Sequence, residues 1–157
     1  MEGQPDRWDA MSEALLHFAA RREHLVKTIW PAMERGIWVI SDRFADSTLA
    51  YQGYGQGVGA AKIKALYKLT VGGFSPDLTL MLDLPAAKGL ARAHGRTAGR
   101  DRYERMPMSF HSRLRTAFRK IAKSEPKRCV VIDAGLPPNA VADAIWTALA
   151  RRFKLRP

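Results

Sequence analysis

The chain has 157 residues, of which 46% are hydrophobic and 26% charged, a balance that suits one globular domain with its own core. Its 26 Lys and Arg against 15 Asp and Glu give a net charge of +11. This excess favours acidic partners such as nucleotides, nucleic acid or an anionic membrane, although a solvated basic surface explains it equally well. Cys129 is the only cysteine, which excludes an intrachain disulfide, and no stretch approaches the ~20 apolar residues of a membrane span. We therefore expect a cytoplasmic protein.

The first predicted element is a long amphipathic helix. It begins after the candidate cap Asp9, bends near Pro31 and ends at Gly36. A short apolar run at 37–41 then predicts a strand that is covered on both faces. Residues 44–58 are rich in small side chains and predict a loop or an irregular helix.

The rest of the chain alternates between helices and strands. The predicted elements are a helix over 61–71, a strand over 78–82, helices over 85–94 and 107–123, a strand over 130–132 and a helix over 138–153. Apolar strands that alternate with helices predict an α/β fold in which a parallel sheet forms the middle of three layers.

Polar side chains follow the end of each predicted strand. They are Asp42-Arg43 after the first, Asp83 after the second and Asp133-Ala134 after the third. Ligands of open parallel sheets bind beyond the carboxyl ends of the strands. A carboxylate such as Asp42 can hold Mg²⁺ through water, and the adjacent Arg43 can hold phosphate oxygens. An ordinary salt bridge at a strand end is the alternative for this pair.

Four ordered segments carry a resemblance to a known family. They are FAARREH at 18–24, DRFADSTLAYQG at 42–53, PDLTLMLD at 76–83 and DRYE at 101–104. In order and spacing, over nearly the whole chain, they resemble bacterial thymidylate kinase. The resemblance implies one domain over 1–157, a sheet of the P-loop nucleoside monophosphate kinase type, and phosphoryl transfer from ATP to dTMP with Mg²⁺. It also implies a homodimer and no role in binding nucleic acid or a membrane.

The resemblance also implies roles for single residues on the dTMP side. Arg21 corresponds to the arginine that hydrogen-bonds thymine, and Arg43 to the one that holds the dTMP phosphate. Asp42 corresponds to the carboxylate near the metal and the reacting phosphates. Thr48 corresponds to the residue at the base edge, and Tyr51 to the aromatic ring that crowds the sugar 2′ carbon, with Gln52 beside it in the pocket.

On the ATP side, the resemblance implies that residues 92–105 form the lid that closes over the nucleotide. The expected phosphate ligands in this segment are its arginines, Arg92, Arg96, Arg100 and Arg102, with Arg96 and Arg100 in catalytic positions. Without the family, the same arginines fit a nucleic-acid-binding patch equally well. Asp133-Ala134 corresponds to the turn that packs near adenine.

One motif that the family resemblance leads us to expect is absent from the 157 residues. They contain no G-x-x-x-x-G-K-[ST] loop, which in the family follows the first strand and holds the ATP phosphates. From the family's length, we expect the chain to begin just before the substrate helix, without the P-loop and the central strand of the sheet. We therefore expect no catalysis from these residues alone. A dTMP-binding module without catalysis and a basic nucleic-acid-binding protein are the alternative functions.

Overall fold

The computed structural model describes residues 8–94 and 102–156 and divides the chain into two compact units. The N-terminal unit is Asp6–Phe74, and the unit that contains Ser75–Pro157 is called the C-terminal unit below.

The N-terminal unit is helical. Its elements are α1 (Ala10–His24), a π-helical turn (Leu25–Ile29), α2 (Trp30–Glu34), α3 (Ala45–Thr48), a π-helical segment (Leu49–Gly55) and α4 (Ala60–Val71). Asp9 caps α1 as predicted, because its Oδ1 accepts hydrogen bonds from the backbone N–H groups of Met11 at 2.9 Å and Ser12 at 3.1 Å. The irregular helix predicted over 44–58 is confirmed as α3 and the π-helical segment.

The predicted irregularity near Pro31 takes the form of the π-helical turn Leu25–Ile29, which comes directly before α2. Proline has no N–H to donate, and its ring collides with the carbonyl one turn earlier in a regular α-helix. A wider turn before the proline relieves that collision. The helical run ends as predicted at Gly36, whose φ of +73° is a conformation that glycine adopts without strain.

The core of the N-terminal unit lies between α1, the first π-helical turn and α4. Its buried apolar residues are Ala14, Phe18, Leu25, Ile29, Ala45, Ile63 and Val71. Gly53 in the π-helical segment comes so close to α4 that an added Cβ would lie 3.3 Å from Ile63 Cγ1. The π-helical segment is therefore packed tightly against the core.

The strand predicted at 37–41 is wrong. Residues 37–40 are neither in a strand nor covered: Trp38 is 63% exposed and Ile40 is 96% exposed. An apolar run becomes a strand only when a neighbouring strand takes its backbone N–H and C=O groups. Within residues 8–94 and 102–156, no strand pairs with this run, so it forms no strand and stays exposed.

The C-terminal unit is built on two parallel strands. β1 (Thr79–Asp83) pairs with β2 (Cys129–Asp133), with Met81 opposite Val131. The helices are α5 (Ala86–His94), a 3₁₀ turn (Arg102–Arg105), α6 (Met108–Ser124) and α7 (Pro138–Phe153). The strands predicted at 78–82 and 130–132 are thereby confirmed. The fold is α/β with a small parallel sheet. The described part of this sheet has two strands, whereas the predicted three-layer fold requires a larger sheet.

α6 provides most of the apolar core of the C-terminal unit. Its buried face consists of Phe110, Leu114, Ala117, Ile121 and Ala122, and the buried strand residues are Met81, Cys129 and Ile132. None of the helices in the described ranges combines the length and the apolarity that a membrane crossing needs.

A bidentate ion pair holds α6 at the carboxyl end of β1. Arg115 Nε donates to Asp83 Oδ1 at 2.7 Å, and its Nη2 donates to Oδ2 at 2.9 Å. These hydrogen bonds from Arg115 lower the pKa of Asp83 below its ordinary value. A carboxylate with a lowered pKa in the folded state stabilises that state above the unfolded pKa, and the contribution disappears as the pH falls through the folded pKa.

We therefore expect Asp83→Asn to lower the thermal unfolding midpoint at pH 7. The difference from the unsubstituted chain should shrink as the pH falls below about 4, the ordinary pKa of an aspartate. The control is Asp143→Asn, which changes an exposed carboxylate of α7 that makes no ion pair with another described residue. A pH-independent effect of Asp83→Asn would show that the ion pair is not what the substitution removes.

Candidate functional site

The site in the N-terminal unit is built around Arg21, which lies in the last turns of α1. Its Nη2 donates to the hydroxyl of Thr48 at 3.0 Å and to the carbonyl of Phe44 at 3.3 Å. Its Cζ lies 4.9 Å from the centre of the Phe18 ring and 5.3 Å from that of Phe44. Two aromatic rings and two hydrogen bonds thus fix the plane of the guanidinium.

One nitrogen of this guanidinium is left without a partner. Arg21 Nη1 is buried and makes no hydrogen bond with a described residue. Burial lowers the pKa of Arg21 to about 10, against the opposing attraction of Asp46, so the side chain remains positively charged at neutral pH. A buried charged donor without an acceptor is costly, and an arriving ligand with an acceptor atom would remove that cost.

Asp42 and Arg43 follow the exposed run at 37–40 and adopt an unusual backbone. Arg43 has a φ of +70°, a left-handed conformation that side-chain-bearing residues seldom adopt. The hydroxyl of Ser41 donates to the carbonyl of Arg43 at 3.0 Å and supports this turn. Strained backbone of this kind concentrates at functional sites. The Arg43 guanidinium lies 5.2 Å from the centre of the Tyr51 ring.

A cavity of about 450 Å³ joins these groups. Its lining consists of Ala20, Arg21, His24, Ile40, Ser41, Asp42, Arg43 and Phe44. This volume lies within the range typical of small-molecule sites. Two arginines and one carboxylate among mainly small or apolar neighbours make a pocket suited to an anionic ligand with a flat polar edge.

The other residues predicted for this site lie next to the cavity lining. Thr48 ends α3, is almost fully buried and accepts the hydrogen bond from Arg21. Tyr51 and Gln52 both belong to the π-helical segment Leu49–Gly55, where Tyr51 lies against Arg43 and Gln52 is buried. The contacts and the cavity of the N-terminal unit therefore join five of the six predicted residues of the dTMP side, and the sixth, Gln52, follows Tyr51 in the chain and donates its amide to Glu13.

A second set of predicted residues meets in the C-terminal unit. Arg92 Nη1 donates to the carbonyl of Ala134 at 2.9 Å, just after β2. The Oδ1 of Asp133 accepts a hydrogen bond from the backbone N–H of Gly135 at 2.7 Å, and a Cβ at position 135 would lie 2.9 Å from the same oxygen. A side chain at position 135 would therefore displace the Asp133 carboxylate. Asp133 also lines a cavity of about 440 Å³, and the positively charged side chains of Lys88 and Arg115 belong to the same lining.

The remaining predicted lid residues are placed differently. Arg102 is buried in the 3₁₀ turn Arg102–Arg105, with its guanidinium 4.9 Å from the centre of the Tyr103 ring. Arg96 and Arg100 lie outside the described residues, as does the middle of the predicted lid at 92–105.

Comparison with known proteins bears directly on this arrangement. The family model of thymidylate kinase matches residues 4–145. The chain belongs to the thymidylate kinase family. It is 51% identical over 139 residues to the thymidylate kinase of Alkalilimnicola ehrlichii. This match covers 88% of this chain and 64% of that protein. The thymidylate kinase of Caulobacter vibrioides is 48% identical over 155 residues, which cover 99% of this chain and 74% of that protein.

The thymidylate kinase of Bradyrhizobium diazoefficiens is 49% identical over 144 residues. That match covers 90% of this chain and 63% of the relative. The chain thus spans between 63% and 74% of the length of these three relatives.

Several residues of this family member's site were not predicted from the sequence. Phe18 and Phe44 hold Arg21, and Ala20, His24 and Ser41 line the cavity. Phe18, Ala20 and His24 lie inside the segment at 18–24 that carried the family resemblance, so their location was visible although their roles were not. The sequence assigned no role to Glu13, which the structure buries completely.

Asp42 is a carboxylate of the cavity lining that is available to bind a divalent metal ion through water. Asp42 is exposed at the cavity edge and makes no hydrogen bond or ion pair with another described residue. The described ranges hold no group of three or more carboxylate, histidine or cysteine side chains that forms a metal cage. Mg²⁺ in phosphoryl-transfer sites is typically bound through one or two carboxylates, water and the substrate phosphates.

Proposed function

We propose that this chain carries the dTMP half of a thymidylate kinase site and serves the reaction dTMP + ATP → dTDP + ADP. The observation that carries the proposal is the Arg21 cluster, a charged guanidinium fixed by Thr48 and Phe44 with one buried nitrogen that has no acceptor among the described residues. Membership of the thymidylate kinase family supports the choice of substrate. We also propose that the two described strands belong to a sheet of the P-loop nucleoside monophosphate kinase type.

Arg21 is proposed to read the base. An arginine has only donors, so its free Nη1 suits the O4 acceptor of thymine and opposes the N4 amino donor of cytosine. The hydroxyl of Thr48 accepts from Arg21 and therefore keeps its own hydrogen available for a second acceptor on the base edge. The pair thus favours thymine over cytosine by hydrogen-bond polarity.

Arg43 and Tyr51 are proposed to hold the rest of the nucleotide. The Arg43 guanidinium would bind the 5′-phosphate, and the Tyr51 ring beside it would crowd the sugar 2′ carbon and favour deoxyribose. Gln52, buried next to Tyr51, would support that ring.

The transfer itself requires a dTMP phosphate oxygen to attack the γ-phosphorus of ATP. A new P–O bond forms, the bond to the β-phosphate oxygen breaks, and ADP leaves with that electron pair. Asp42 would hold the Mg²⁺ that accompanies ATP through a water molecule, and this ion would neutralise charge on the transferring group. Arg92, Arg96, Arg100 and Arg102 are proposed as the lid arginines, and Asp133-Ala134 as the turn near adenine.

We expect the 157-residue chain to bind dTMP at least about tenfold more tightly than ATP or dCMP. Binding of dTMP is favoured because Arg21, Arg43 and Thr48 are already in place. Binding of ATP is disfavoured because the 157 residues contain no P-loop motif. Binding of dCMP is disfavoured because the N4 amino group of cytosine and Arg21 are both hydrogen-bond donors. Isothermal titration calorimetry with the three nucleotides measures the affinities. Tighter binding of ATP than of dTMP would contradict the proposal, and equal affinity for dTMP and dCMP would contradict the role of Arg21.

A further inference from the structure

Glu13 is a buried carboxylate that the proposed function does not use. It lies in the first turn of α1 and is 0% exposed. Its Oε1 accepts a hydrogen bond from Gln52 Nε2 at 3.2 Å, and its Oε2 accepts one from Gln56 Nε2 at 3.1 Å. His17 Nε2 lies 3.7 Å from Oε1. Burial of a carboxylate is expensive unless hydrogen bonds compensate it, so this arrangement needs an explanation.

The two amides that accept support from Glu13 belong to the π-helical segment Leu49–Gly55 and to the residue that follows it. Gln52 lies within the segment and Gln56 directly follows it. The backbone over 51–58 makes two hydrogen bonds with itself. The N–H of Gln56 donates to the carbonyl of Tyr51 at 2.8 Å, and the N–H of Val58 donates to the carbonyl of Gln52 at 3.0 Å. Wide turns of this kind are uncommon and need side-chain support. Glu13 supplies it from a different helix.

We propose that Glu13 is a positioning residue for the nucleotide site. It acts through Gln52 and Gln56, whose anchored amides fix the turn that places the Tyr51 ring against Arg43. The inference rests on the proposed function, because it is the sugar-binding role of Tyr51 that makes this placement matter. The carboxylate acts as a double acceptor, one oxygen for each amide, and its geometry rather than its charge performs the task.

This mechanism makes a specific distinction between two substitutions. Glu13→Leu keeps the volume but removes the acceptors of the hydrogen bonds that Gln52 and Gln56 donate to Glu13. Glu13→Gln keeps an acceptor for Gln52, and its new NH₂ can donate to Gln56 Oε1, which is buried and has no partner among the described residues. That pairing requires the Gln56 amide to turn over, which costs little. The glutamine variant should therefore substitute for the glutamate.

The test measures the affinity of the 157-residue chain for dTMP and for its ribose counterpart, 5-methyluridine 5′-monophosphate, by calorimetry. Glu13→Leu should weaken dTMP binding about tenfold or more and lower the ratio between the two affinities, whereas Glu13→Gln should stay within about threefold of the unsubstituted chain. The matched control is Glu23→Leu, which changes an exposed glutamate of the same helix whose one ion pair among the described residues is with Lys27. A lowered unfolding midpoint with unchanged affinities and an unchanged ratio would overturn the proposal.

A ligand-free measurement separates this proposal from the proposed function. Hydrogen exchange of the amides of residues 51–59 should accelerate in Glu13→Leu, while those of α4 stay protected. If the unsubstituted chain binds no dTMP but this acceleration occurs, the proposed function fails and the anchoring of the turn stands. If the chain binds dTMP and Glu13→Leu changes neither exchange nor affinity, the inference about Glu13 fails alone.

Where Glu13→Leu does not fold, Gln56→Met serves in its place. It removes one of the two anchored amides at a half-buried position outside the predicted site. It should lower the ratio of the two affinities in the same direction, and an unchanged ratio would count against the proposal.

Discussion

A protein made of these 157 residues alone should show no dTMP-dependent turnover of ATP. The printed residues contain no G-x-x-x-x-G-K-[ST] loop, and in P-loop enzymes that loop and its lysine hold the ATP phosphates. Each charge-assisted hydrogen bond is worth roughly 1.5–3 kcal/mol, so the absence of several removes most of the ATP affinity and the alignment on which phosphoryl transfer depends. A coupled assay of ADP release from purified protein measures this.

A chimera provides the positive arm of the same experiment. The P-loop-bearing N-terminal segment of a thymidylate kinase, joined before residue 1, should restore turnover, and Asp42→Asn in the chimera should reduce it strongly. Turnover of the 157-residue protein that disappears in Asp42→Asn would contradict our view of the loop. A chimera that binds dTMP and ATP but never turns over would favour the alternative function, a dTMP-binding module without catalysis.

Arg43→Ala should weaken dTMP binding by about 1.5–3 kcal/mol, which is roughly 10- to 150-fold in the dissociation constant. The reason is the prepared geometry of Arg43. Its backbone is already held in a left-handed turn by the Ser41 hydroxyl, and its guanidinium already lies over the Tyr51 ring. Little conformational freedom is then left to lose when a phosphate binds. Calorimetric titration with dTMP measures the loss.

Three alanine substitutions serve as controls for Arg43→Ala. Arg35→Ala removes one exposed positive charge from the same unit without touching the cavity lining. Arg96→Ala and Arg100→Ala remove arginines of the predicted lid, which we expect to engage only when ATP is bound. All three should leave dTMP affinity nearly unchanged. If they weaken binding as much as Arg43→Ala, the net charge of +11 acts as a diffuse field and Arg43 has no special position.

The comparison at 37–41 shows where local patterns stop being sufficient. This run has the apolar composition of a buried strand, as do 78–82 and 130–132. The latter two pair with each other and form β1 and β2, whereas no strand of the described residues pairs with the first, and Ile40 stays exposed. Composition thus indicates that a segment can form a strand, but pairing decides whether it does.

Pairings between distant residues could not be deduced from the sequence without the family resemblance. Arg21 and Thr48 are separated by 27 positions, and Glu13 and Gln52 by 39. The resemblance named Arg21, Thr48 and Gln52 as site residues, but it gave no reason for them to touch one another or for Glu13 to be involved. No local signal marks such contacts, because they depend on how α1 packs against α3 and the π-helical segment that follows it.

The sequence by itself determined the order and type of most elements, the start of α1 at Asp9, and membership of the family through its ordered motifs. These features depend on neighbours along the chain: the spacing of apolar residues, a capping side chain and short strings of residue types. The tertiary structure decided the exposed state of 37–40, the left-handed turn at Arg43 and the burial of Glu13. Each depends on which backbone and side-chain groups meet from distant parts of the chain, since hydrogen-bond partners and burial are properties of the packed molecule.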